Sequence, residues 1–191
     1  MMLRDKNPIE GAPVTPAPKQ TGRALQWLRE VVETLLPAAV IAILINLFLA
    51  QATRVYGQSM EPNLHSNQRL VVEKVSYWFH GPRQGDIVVL KLPDRESELL
   101  IKRVIAVPGQ RIEIRQGDVY IDGQLLEEPY LNQKTPGSLP PQVVPPFHVF
   151  VMGDNRAASN DSRSFGPVSL DHIVGRAWIS YWPPDQIKIV R

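Results

Sequence analysis

From Leu35 to Ala50 the chain is apolar at every position except Pro37 and Asn46. Sixteen residues of helix rise about 24 Å, slightly less than the roughly 30 Å hydrocarbon core of a bilayer. Val31, Val32, Ala52 and Thr53 can lengthen the segment, so the pattern predicts a single transmembrane helix, with its approach, within residues 23–52. A helix buried in a protein core would carry a polar stripe, and this run has only Asn46. A cleaved secretory signal would sit within roughly the first 15–30 residues and be shorter, although Ala50-Gln51-Ala52 has the small-x-small form of a cleavage site. Arg4, Lys6, Lys19, Arg23 and Arg29 precede the run and only Arg54 follows it closely. That asymmetry of cations places the amino end in the cytoplasm and the rest of the chain outside.

The flanks differ sharply in character. Residues 1–22 mix proline, glycine and small polar residues without apolar periodicity, as a disordered tail does. Residues 53–191 hold a succession of short β signals, among them "RLVVEKVSYWF", "DIVVLKL", "LLIKRVIAV", "RIEIR", "DVYIDGQLL", "FHVFVMG" and "IVGRAWISYW". Asp122-Gly123 between alternating apolar residues marks a two-residue hairpin turn. Many short strands with little helix predict a mainly β fold, a curled, barrel-like domain behind the amino-terminal transmembrane helix. Residues 132–146 contain five prolines and form an excursion or flap, since proline cannot serve a central strand.

Composition removes several chemistries. The chain has no cysteine, hence no disulfide, thiolate metal site or cysteine nucleophile. His65, His80, His148 and His172 are scattered without metal-ligand spacing, so neither a metal nor a cofactor is expected. The net charge is +2, and beyond residue 52 sixteen Lys or Arg are interspersed with fifteen Asp or Glu. No basic stripe suited to nucleic acid emerges.

One strand carries an anomaly. In "LLIKRVIAVPG", Leu99 to Gly109, alternation sets Lys102 on one apolar face and Arg103 on the other. A buried ammonium costs several kcal/mol unless it is paired or loses its proton. Ser59, in "RVYGQSMEPNLH", sits where the backbone turns after Gly57, and a serine hydroxyl becomes a useful nucleophile only with a base in reach.

Read in order, Ser59-Met60-Glu61-Pro62, "GDIVVL" (Gly85 to Leu90), "IKRVIAVPG" (Ile101 to Gly109) and "GDNRAASNDSRSFGPV" (Gly153 to Val168) resemble the motifs of type I signal peptidases, the Ser-Lys membrane proteases. The resemblance implies that Ser59 is the nucleophile and Lys102 its general base. It also implies that Ser159 hydrogen-bonds that lysine and that Asp161 and Arg163 form a structural pair beside the site. Gly153 and Asp154 match the turn opening the last motif. Gly57 stands where some members place a serine that assists the oxyanion, and Asn63 stands where threonine is common. No histidine occupies a motif position, which disfavours a Ser-His-Asp triad.

The function implied by this resemblance is that of a membrane-bound serine endopeptidase, which removes signal peptides from exported preproteins having small residues at the first and third positions before the cut. Its implied surroundings are lipid and an export translocon. The implied location is the bacterial cell membrane, single-pass with the catalytic domain on the outer face, with an internal membrane such as the thylakoid as the other compartment. A self-cleaving Ser-Lys repressor conflicts with the apolar run and with the lack of a DNA-binding module. The remaining alternative is a non-catalytic, membrane-anchored β interaction module. Lys102 should face inward, neutral and near Ser59, while Arg103, unable to lose its proton, should reach solvent or a carboxylate on the other face.

Overall fold

A computed structural model describes the backbone of residues 21–44, 50–92 and 98–190. The chain divides into two compact units, residues 1–42 and 43–191. Helix α1 (Thr21–Leu44), which belongs to the first but for its last two residues, contains Pro37. Apart from Val31, every described side chain from Gln26 to Leu44 is exposed, including Trp27 at 66% and Leu36 at 60%. Among the described residues no helix is long and apolar enough to cross a membrane. The tail at residues 1–20 and residues 45–49 of the expected span lie outside the described residues.

The end of the expected span needs correction. Ala52 and Thr53 do not extend the helix; they belong to strand β1 (Ala50–Arg54). β1 pairs antiparallel with β2 (Arg69–Glu73), from Ala50 opposite Glu73 to Arg54 opposite Arg69. The β unit therefore begins before residue 53. β-ladder bonds to a partner about twenty residues downstream override the local preference of an Ala-rich segment for helix.

The larger sheet has eight strands, and the fold is mainly β as expected. After β1 and β2 come β3 (Ile87–Lys91), β4 (Leu99–Ala106), β5 (Arg111–Arg115), β6 (Asp118–Ile121), β7 (Gln124–Leu125), β8 (Leu139–Val143), β9 (His148–Met152), β10 (Val168–Ser169), β11 (Ile173–Trp182) and β12 (Lys188–Ile189). The order across the larger sheet is β1-β2-β11-β3-β4-β9-β10, with β12 also paired to β11. It is open, ending at β1 and β10, rather than closed. Register shifts in β11 and between β4 and β9 raise local twist and bend the sheet.

A second sheet, ordered β7-β6-β5-β8, stands beyond it. Asp122 and Gly123 both have positive φ, 52° and 83°, and join β6 to β7 in the expected two-residue hairpin. Gln116-Gly117 does the same between β5 and β6. The proline-rich excursion is less irregular than expected, because Leu139–Val143 pairs with β5 as the outermost strand, where proline's missing N–H is tolerated. "RLVVEKVSYWF" is likewise divided: the Glu73 carboxylate accepts from Ser76 N–H at 2.9 Å as β2 gives way to a short helix, α2 (Ser76–Phe79).

Strand β4 lies at the meeting of three apolar clusters. Ile101 packs with Met60, Leu64 and Leu70, Val104 with Val88 and Val151, and Ile105 with Ile112 and Phe150. All residues from Ile101 to Ala106 are buried. Apolar contact on both faces fixes the strand and thus the side chains it presents.

Candidate active site

The turn after β1 is held closed at its base, where Val55 N–H donates to Gln68 O at 2.8 Å and Asn67 N–H donates to Val55 O at 2.9 Å. Gly57 has φ +78° and open space where a Cβ would stand, so its backbone conformation, not crowding, is what favours glycine. Met60 and Leu64 are buried in the apolar cluster beneath. Asn63 and Leu64 N–H groups both donate to Met60 O, at 2.9 and 2.8 Å. Anchored on Met60, the turn leaves Ser59 partly exposed, and no described group engages its own N–H.

Opposite it, Lys102 projects from the middle of β4, where its backbone lies across from Val88 of β3. Lys102 Nζ lies 2.7 Å from Ser59 Oγ, and the residue is only 3% exposed. Burial lowers its pKa from 10.5 to about 8; the charges of Asp161 and Asp154 pull it upward and that of Arg163 pushes it down. Desolvation disfavours the ammonium, and the nearby carboxylates recover only part of the loss.

Arg103 turns the other way, and of the two expected outcomes the carboxylate is found. Its Nε donates to Asp154 Oδ1 and its Nη2 to Asp154 Oδ2, both at 2.8 Å. Nη1 donates to Gly85 O at 3.0 Å, and the guanidinium stacks 3.9 Å from the centre of the Tyr130 ring. This is a buried, bidentate pair with a further bond from Nη1 and an aromatic face against the guanidinium, the kind of support a buried pair needs.

The loop after β9 supports the turn from a third side. Asn155 N–H donates to Ser59 O at 3.0 Å. A Cβ on Gly153 would lie 2.4 Å from Ser59 O and 2.3 Å from Ser159 Oγ, closer than atoms pack. Asp161 is fully buried and binds Arg163 through Nε–Oδ1 at 2.8 Å and Nη2–Oδ2 at 2.9 Å, while Gly153 N–H donates to Oδ2 at 3.0 Å. Burial resists ionisation of Asp161, but these donors and the Arg163 charge hold its pKa below the usual range. Asp161 also caps the short helix α3 (Ser162–Phe165), and Ser162 Oγ ties that helix to β9 by accepting from Val151 N–H at 3.0 Å.

Ser59 and Lys102 are thus in direct contact, with Asp161 and Arg163 close enough to act on the lysine's charge. Ser159 differs from expectation. It is near enough to Asp161 to favour that carboxylate's charge, yet its Oγ is buried without a partner at hydrogen-bond geometry, so the implied bond to Lys102 is not formed. Gly57 contributes no side-chain donor. No group of three or more potential metal ligands occurs among the described residues.

Sequence reasoning overlooked a second buried network. Arg156 Nε donates to Gly153 O at 3.0 Å, and its Nη1 donates to Thr135 Oγ1 at 2.6 Å and to Glu128 Oε2 at 3.2 Å. Its Nη2 pairs with Glu128 Oε1, which also accepts from Tyr130 Oη at 2.7 Å. Asn63 Nδ2 donates to Tyr130 O and to Asp154 Oδ2, both at 2.9 Å. The available signal was weak: Glu128-Pro129-Tyr130 interrupts the alternation before the excursion, but nothing local says that it packs under the site.

Comparison with known proteins agrees with these motifs. A family model described as signal peptidase, peptidase S26, matches residues 28–182. The probable signal peptidase I-1 of Synechocystis sp. is 42% identical over 165 residues, covering 83% of this chain and 84% of that protein. Signal peptidase I of Leptolyngbya laminosa is 39% identical over 182 residues, 92% of this chain and 89% of its own. Thylakoidal processing peptidase 1, chloroplastic, of Arabidopsis thaliana is 34% identical over 161 residues, 79% of this chain and 47% of that longer protein.

Proposed function

The chain belongs to the signal peptidase family, peptidase S26, and on that basis we propose that it is a signal peptidase I that cleaves with Ser59 as nucleophile and Lys102 as general base. Membership makes it a serine endopeptidase removing signal peptides, which displaces the non-catalytic interaction module. The observation that carries the assignment of roles is the 2.7 Å approach of Lys102 Nζ to Ser59 Oγ in a site that buries the amine.

A neutral Lys102 takes the Ser59 proton as Oγ adds to the scissile carbonyl. The developing oxyanion meets the Ser59 N–H, which no described group occupies, and such a donor is worth most where water is excluded. The tetrahedral intermediate expels the amine of the mature protein, which leaves with the proton held by Lys102. The signal peptide remains esterified to Ser59. Lys102, neutral again, takes a proton from water, hydroxide adds to the ester, and Ser59 recovers the proton as the signal peptide departs.

Substrates are exported preproteins with small residues at the first and third positions before the cut. Membrane attachment is carried by the apolar run that begins at Leu35 and ends before Ala50, the first residue of β1. The described part of α1 supports this, since its large apolar side chains, Trp27 and Leu36 among them, are exposed. The amino end is cytoplasmic, with lipid around the helix, an export translocon nearby and the catalytic unit on the outer face of a cell or thylakoid membrane. Holding enzyme and substrate on one surface raises the local concentration of the scissile bond without new contacts.

The decisive measurement is preprotein cleavage in detergent by the wild type, Ser59→Ala and Lys102→Ala. Both variants are expected to lose more than about 10³-fold in kcat. Equal processing by all three would overturn the assignment.

A further inference from the structure

Asn63 lies four residues beyond Ser59 and belongs to the same turn, since its N–H donates to Met60 O. Its side chain reaches away from the turn to two other segments, donating from Nδ2 to Asp154 Oδ2 and to Tyr130 O, each at 2.9 Å. Both partners only accept, so the amide must present nitrogen, and its two protons are matched to two oxygens.

Asp154 is where the parts of the site converge. Its carboxylate holds Arg103, the residue following Lys102 on β4. The next residue, Asn155, donates its N–H to Ser59 O. The nucleophile turn is consequently fastened at Ser59 O and at the Asn63 amide, and both fastenings end on Asp154-Asn155. The strand carrying the lysine ends on the same carboxylate.

We propose that Asn63 is a positioning residue that holds the Ser59 turn against β4, so that Ser59 Oγ stays at hydrogen-bond distance from Lys102 Nζ and water stays off the amine. The inference rests on the Ser59–Lys102 reading. Threonine at this position would have one proton to give and could serve only one of the two acceptors. With the amide gone, the turn keeps Met60 as its apolar anchor but loses its tie to Asp154. A displacement of about 1 Å at the reacting atoms can cost 10²-fold in rate.

The charged groups acting on Lys102 are Asp161 from the loop after β9, Arg163 on α3 and Asp154 at the start of that loop, while Arg103 beside it on β4 is paired with Asp154. Of these only Asp154 touches Asn63, and its carboxylate keeps its pairing with Arg103 when the amide is removed. Wetting of the amine should therefore read out as a return of its pKa towards the ordinary lysine range.

The test uses the full chain in detergent, with kcat and KM for a preprotein measured against pH for wild type, Asn63→Ala and Asn63→Thr, beside melting curves. Asn63→Ala is expected to lower kcat about 10- to 100-fold with KM little changed. It should also move the acid limb of the kcat profile up by about half a pH unit or more. Asn63→Thr, with one bond kept, should fall between, and decides the matter if the alanine variant fails to fold. The proposal is overturned if the folded variants keep the wild-type kcat and profile, or if activity falls only with the folded fraction while the profile stays put. Inactive Ser59→Ala and Lys102→Ala beside normal Asn63 variants would sink this inference alone; active ones would sink the dyad beneath it.

Discussion

Lys102 and Arg103 are adjacent cations with opposite fates, and the difference lies in what each can do when water is removed. Lysine can shed its proton, and burial lowers its pKa to about 8, a change worth roughly 3 kcal/mol between its two forms. Arginine cannot, so Arg103 must have Asp154. Below the folded pKa Lys102 is charged and unable to accept the Ser59 proton; above it the amine is free. Cleavage is therefore expected to rise about tenfold per pH unit up to roughly pH 8 and then level, which a kcat/KM profile from pH 5 to 9 on one preprotein would check. A rate flat down to pH 5 would contradict a lysine base. Alternation in "LLIKRVIAVPG" is enough to put the two cations on opposite faces, and the motif context chooses which one meets Ser59. The partner of Arg103 is not legible there, because Asp154 lies 51 residues away in a segment whose polarity reads as solvated loop. For the same reason Arg156, 1% exposed, has the look of a surface residue: its partner Glu128 is distant in sequence, and only packing reveals that the pair is dry. Ser159 shows the opposite error, a role implied by position that the side-chain geometry does not realise.

Among elements, those marked by local chemistry are legible in the sequence and those fixed by distant pairing are not. The Asp122-Gly123 hairpin is visible because a type I′ turn demands two positive φ values that few residue pairs supply. Gln116-Gly117 has the same geometry with a first residue that gives no such signal. Strand β1 reads as the end of the helix, because Ala50-Gln51-Ala52 continues an apolar run and nothing nearby announces β2 as its partner. The pairing has a chemical consequence. A protease substrate lies extended with its main chain engaged by the enzyme, but Ala52 and Thr53 are opposite Val71 and Leu70 in the ladder, so the Ala52–Thr53 bond is already committed to the enzyme's own sheet. Purified protein is accordingly expected to keep its full mass on storage, read by intact-mass spectrometry; a product beginning at Thr53 would show that the ladder fails to shield it.

At the scale of the whole chain, the described residues of the three apolar clusters all come from Val55 onward. A chain beginning at Ala50 should then fold with a melting temperature close to that of the full protein. It should cleave a soluble peptide at a similar rate yet process a vesicle-bound preprotein about 10²-fold more slowly, because the shared surface is lost. Parallel assays on the two substrates separate these effects, and equal loss on both would contradict the division. The strand that receives the chain from α1 is also the outermost strand of the larger sheet. Its five consecutive antiparallel pairings with β2 would bear together any load applied along β1. Such a load is shared along the seam like that on a lap joint, whereas a strand peeled sideways gives way one bond at a time. Ser59, five residues past Arg54, sits downstream of that seam, so under the proposed membrane attachment a load arriving along β1 is taken up by the sheet before it can disturb the Ser59–Lys102 spacing.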